Sequence, residues 1–117
     1  MKDFKSLIVW EKSHHLTLLI YEMSRFFPED EKYGLTSQIR RSVSSVSANI
    51  AEGCGRSSDK DFARFLQIAI GSASETEYHL LLARDLGFLN QDDWCALDKK
   101  TNEVKRMLIN FYKKLQK

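Results

Sequence analysis

Residues 94–115 read WCALDKKTNEVKRMLINFYKKL, and their spacing decides the fold. Trp94, Leu97, Thr101, Val104, Leu108, Phe111 and Leu115 step three, four, three, four, three and four. That is the seam of an amphipathic helix packed against other helices. Asn90 stands ahead of it as a cap, and Asp92 and Asp93 occupy the first turn, where the helix dipole favours acids. Three more helices follow on working back along the chain. Ser58 and Asp61 form a shortened capping box for a helix over 58–86, ~44 Å long, that Gly87 stops. Its inward positions are Phe62, Phe65, Leu66, Ala69, Ala73, Thr76, Leu80 and Ala83, and Gly71 in its middle points to close approach by another backbone. Leu35, Ile39, Val43, Val46 and Ile50 make the stripe of a helix over 35–52, which Gly53 and Gly55 are expected to stop in left-handed geometry. Val9, Leu16, Ile20 (with Leu19), Met23 and Phe27 mark a first helix over 7–26, ended by Pro28.

Composition agrees with that reading. The chain has 117 residues, 43% of them hydrophobic, one proline and five glycines, with no stretch that alternates as a strand does. Four amphipathic helices with short connections predict an all-α fold, an antiparallel up-and-down four-helix bundle forming one domain over 1–117. Cys54 and Cys95 belong to no CxxC pattern, which points to a reducing, cytoplasmic setting. No apolar run approaches the ~20 residues of a membrane span, so no membrane partner is expected.

Catalytic and metal chemistry find little support. His14 and His15 are adjacent, about 100° apart on a helix, and His79 is distant in sequence, so no ligand pair forms and no metal or other cofactor is expected. Neither cysteine lies in a nucleophile's strand-turn-helix context. Gly53-Cys54-Gly55-Arg56-Ser57-Ser58 leads into a helix but lacks a Walker lysine, and reads as a tight turn between helices. A metal-dependent hydrolase using Glu52 and Glu75 ranks last among the alternatives, since no histidine or aspartate cluster accompanies them.

Two helix faces exceed what a bundle requires. The second helix carries Ser37, Ser44, Ala48 and Ala51 opposite its apolar stripe, where a solvated face would carry Lys and Glu; small residues there suit a contact between subunits. Beside them run Arg41, Ser45, Asn49, Glu52 and Arg56. The fourth helix carries Lys99, Arg106, Lys113 and Lys117 opposite its heptad seam. Net charge is only +2, but residues 99–117 hold seven Lys/Arg against Glu103 alone, a balance of +6 on a body of −4. Such a stripe attracts phosphates or merely solvates an exterior.

Several blocks resemble a known family. They are Phe4 to Trp10, Phe27-Pro28-Glu29-Asp30-Glu31, Tyr33-Gly34-Leu35-Thr36, Gln38-Ile39-Arg40-Arg41, Ser45 through Gly53, Phe65-Leu66-Gln67-Ile68-Ala69, Gly71-Ser72 and Glu75-Thr76-Glu77. Together the chain resembles the 23S rRNA intervening-sequence protein family, bacterial four-helix bundles often encoded within insertions in rRNA genes. Their relatives include the accessory variability protein of diversity-generating retroelements, a basic pentameric barrel that binds nucleic acid. The resemblance implies a ring-like homo-oligomer of five copies and, more weakly, RNA or DNA binding. On that basis Arg40, Arg41, Arg56 and Arg64 join the basic stripe as candidate phosphate contacts, while Asn49, Glu52 and Glu75 are expected to hold helices or subunits in register. The expected protein is a non-catalytic oligomeric scaffold that binds nucleic acid; the alternative is an adaptor for another protein.

Overall fold

The computed structural model describes residues 3–116. Its four long helices are α1 (Ile8–Ser24), α2 (Leu35–Cys54), α3 (Asp59–Asp85) and α4 (Gln91–Leu115). Short 3-10 turns at Phe4–Ser6 and Glu29–Glu31 precede α1 and α2. Consecutive helices pack antiparallel and α4 closes back on α1, while the diagonal pairs stay apart among the described residues. The result is an up-and-down bundle 43 × 23 × 20 Å. The α2–α3 contact is the most extensive and the closing α1–α4 contact the loosest.

The apolar stripes meet where their spacing puts them. Leu35, Ile39, Val43, Val46 and Ile50 of α2 are all buried, as are Leu97, Thr101, Val104 and Leu108 of α4. The eight inward positions expected of α3 are buried too, joined by Ala63 and His79. Caps act as predicted: Ser58 Oγ accepts from Asp61 N at 3.1 Å and Asn90 Oδ1 from Asp93 N at 2.8 Å. Gly87 ends α3 at φ +80°, with Phe88 N donating to Ala83 O and Gly87 N to Arg84 O, a Schellman closure.

Three local expectations need correction. α1 is shorter than 7–26, because Arg25, Phe26 and Phe27 donate to carbonyls three residues back and tighten the chain ahead of Pro28. α2 does not stop at Glu52: Gly53 is a buried helical residue, and Gly55 caps the end at φ −83°, a right-handed conformation. Gly53 is needed for room, since a Cβ there would lie 2.8 Å from Phe62 Cδ1 and 3.0 Å from Phe65 Cβ. Gly71 has no such neighbour; among the described residues, nothing lies within 4 Å of a Cβ built there.

Hydroxyl groups stitch α2 to both neighbours. Toward α1, Ser13 Oγ donates to Ser47 Oγ at 3.2 Å, and Thr17 Oγ1 lies 3.3 Å from the same oxygen. Toward α3, Thr76 Oγ1 donates to Ser42 Oγ and Ser72 Oγ to Ser45 Oγ, each at 2.9 Å. Small polar side chains let these helices approach closely and satisfy one another once desolvated.

Candidate nucleic-acid interface

The outer side of α4 lies between two grooves. Trp94 and Asp98 line the groove shared with α3, whereas Lys100, Glu103, Met107, Asn110 and Lys114 line the groove shared with α1. Lys99, Arg106 and Lys113 stand between them, exposed and without an ion pair among the described residues. Steps of seven residues set them ~10.5 Å apart along the axis. Lys117, the fourth member expected in this stripe, lies outside the described residues. Lys100 and Lys114, which sequence reasoning left out, extend the row toward α1 and are also unpaired among the described residues. The doubled lysines at 99–100 and 113–114 were the available signal. Other cations nearby are neutralised: Lys105 meets Glu77 at 3.1 Å and Lys12 meets Glu103 at 3.3 Å.

The arginines outside α4 are differently employed. Arg40 donates from Nε to Ser24 Oγ at 2.8 Å and from Nη2 to Tyr21 O at 3.2 Å, tying down the C-terminal turn of α1. A cation is favoured at that end of a helix. Arg56 pairs with Glu52 at 2.9 Å and Arg64 with Asp61 at 3.6 Å, and both guanidinium groups lie against the Phe65 ring. Arg41 is exposed and unpaired among the described residues, well away from the α4 stripe on the outer side of α2.

On that outer side, Ser37, Ser44 and Ala51 are half-buried and Ala48 is exposed, with Ser44 Oγ bonding back to Arg40 O. Asn49 Nδ2 donates to both the carbonyl and the hydroxyl of Ser45, joining the α2–α3 stitching. Glu75 stands exposed, its carboxylate 3.8 Å from His79 Nε2. His79 itself is 4% exposed, with Nδ1 3.4 Å from Ser42 Oγ. Desolvation holds its pKa below the ordinary 6.5, against the opposing pull of Glu75. A depressed histidine pKa means that the unfolded chain takes up the proton first. Stability is therefore full above pH 6.5 and falls as pH drops through the lowered native value. The thermal midpoint should decline on acidification from pH 7.5 to 5, and decline less in His79→Gln; parallel curves would show that folding leaves the proton affinity of this imidazole unchanged.

Burial also raises the pKa of Asp98, reinforced by Glu77 and opposed by Arg84 and Asn102. Among the described residues no three His, Cys, Asp or Glu side chains converge as a metal-holding group, and no helix is long and apolar enough to cross a membrane.

The comparisons cover most of the chain. Residues 5–110 match the family model of the 23S rRNA-intervening sequence protein. No curated protein matches. Among solved structures, a similar one is the 1.70 Å crystal structure of a protein with unknown function from the S23 ribosomal protein family of Bacteroides thetaiotaomicron. It is 30% identical, superposes with a TM-score of 0.85, and the match covers 91% of this chain and 99% of that one. The four-helix architecture, the span of the family match and this likeness agree: the chain belongs to the 23S rRNA-intervening sequence protein family.

Proposed function

We propose that the protein is a non-catalytic homo-oligomeric scaffold that binds nucleic acid through the outer side of α4. The observation that carries the binding reading is the row of Lys99, Lys100, Arg106, Lys113 and Lys114, unpaired among the described residues while Lys12, Lys105, Arg56 and Arg64 have acid partners. Phosphates would displace only counterions there, so affinity depends on salt and little on sequence. The test is a salt series with unrelated RNAs and DNAs on the purified protein. Similar affinities that fall steeply with salt are expected; no binding at low salt would reject this reading.

Support for assembly comes from the outer side of α2 and α3. Gly71 weakens the middle of α3 by about 1 kcal/mol relative to alanine, yet among the described residues no atom of its own chain needs the space. Ala48 is exposed on the adjoining helix, and Ile68 and Tyr78 are exposed along α3. A second copy's helix fits such a surface. Light scattering should give a mass several times 13.6 kDa, with five copies the number the family resemblance implies. Ala48→Arg and Gly71→Arg should each lower that mass with helicity unchanged. A concentration-independent monomer would reject the assembly.

An adaptor for another protein is the second reading. Phe26 and Tyr33, 80% and 88% exposed, favour it, with Leu86 exposed near the same end of the bundle.

A further inference from the structure

We propose that the seam between α1 and α4 receives the bases of a single-stranded nucleic acid whose phosphates follow the lysines of α4. This rests on the nucleic-acid reading above and gives it a ligand class. Two hollows open along this loosest contact of the bundle. One, of about 370 Å³, has Leu18 for exposed apolar surface above the buried Val104, with Lys12, His14, His15 and Lys100 around it. The other, of about 560 Å³, is lined by Ile8, Met107 and Phe111, with Asn110 and Lys114 beside them. Val104 and Phe111 are seven residues apart, which separates the hollows by ~10 Å along α4.

The chemistry inside the hollows differs from that on their rims. Leu18 and Ile8 leave 55% and 65% of their surface exposed, large apolar areas for positions flanked by charge. His14 is stacked on Trp10, with centroids 5.0 Å apart and planes 7° from parallel, so a flat ring already lies at the first hollow. Glu11 also lines that hollow and has no ion pair among the described residues, while Glu103 there is held by Lys12. In the first hollow Lys12 and Glu103 neutralise each other, leaving Glu11 and two imidazoles beside the apolar surface, and the second is lined mostly by apolar side chains, with no acid among the described residues; both suit a base, whose faces are apolar and whose edges carry amino donors. The unpaired cations lie instead on the α4 side, where Lys100 and Lys114 border the hollows and Lys99, Arg106 and Lys113 continue outward. A cationic track beside surfaces that take flat rings is how single strands are held, and a duplex keeps its bases stacked out of reach. The same charge track disfavours a basic protein segment as the occupant.

The experiment compares a labelled single-stranded 15-mer RNA and its duplex on the full chain and on Ile8→Ser/Leu18→Ser, which changes no charge. The double variant should bind the single strand about tenfold more weakly, with the salt slope unchanged and duplex affinity unaltered. Both residues are exposed, and circular dichroism checks the fold; His15→Ala probes the first hollow alone and should show part of the same loss. Unchanged single-strand affinity, or an equal loss for the duplex, overturns the base hollows while leaving phosphate binding in place. No binding by the unmodified chain overturns both readings. A fall in oligomer mass in the double variant overturns the proposal in favour of a contact between copies along this seam.

Discussion

Changing Lys99, Arg106 and Lys113 together to glutamine is expected to weaken nucleic-acid binding on the order of a hundredfold near 0.1 M salt. The log–log salt slope should fall by about two to three units, since each phosphate contact releases its own counterions. Folding should be nearly untouched. All three side chains are exposed and unpaired among the described residues, and glutamine matches lysine in helix propensity. Titration across a salt series, with a melting curve as control, separates the outcomes. An unchanged slope would make this side of α4 a solvated exterior and leave Arg41 as the next unpaired arginine to test.

Gly53→Leu is expected to destabilise the bundle by about 3 kcal/mol, read as a lower urea midpoint. The nearest atoms belong to Phe62 and Phe65, both buried, and Phe62 is held edge-on to Phe111 with centroids 5.2 Å apart. The Phe62 ring cannot yield without disturbing the α3–α4 contact, and the Cβ of Phe65 moves only with the backbone of α3. Gly55→Ala supplies the contrast: its Cβ would meet only Glu52 O at 3.4 Å, an ordinary contact, and its φ of −83° suits any residue. Equal effects at the two glycines would contradict the packing described for the end of α2.

Apolar spacing made the fold legible, because burial in a bundle follows the 3.6-residue period and α2 and α4 keep that period strictly. Ser13, Thr17, Ser24, Ser42 and Ser47 escaped the same reasoning although all are buried. Hydroxyls that bond back to a carbonyl three or four residues earlier, as Thr17 does to Ser13 O, need no water, and hydropathy does not register them. Gly53 misled for a related reason: glycine is used both to end helices and to let side chains crowd in, and only the placement of Phe62 distinguishes the two. In the candidate interface, the α4 stripe was visible as periodic charge. The status of Arg40 was not, since it depends on where α1 ends, and that of Arg56 depends on a phenylalanine from the next helix.

The unequal packing of the four helices also governs how the bundle breathes. α2 and α3, broadly joined and stitched through Ser42, Ser45, Ser72 and Thr76, form the part that opens last. α1 leans on α2 through Ser13, Thr17 and the Arg40 clasp, and on α4 only loosely, so it is the element most readily released as a unit. Its release would widen the α1–α4 seam without disturbing α3. The least protected amides of the molecule would then border the two hollows, where a ligand that braces α1 against α4 slows the exchange of a whole helix.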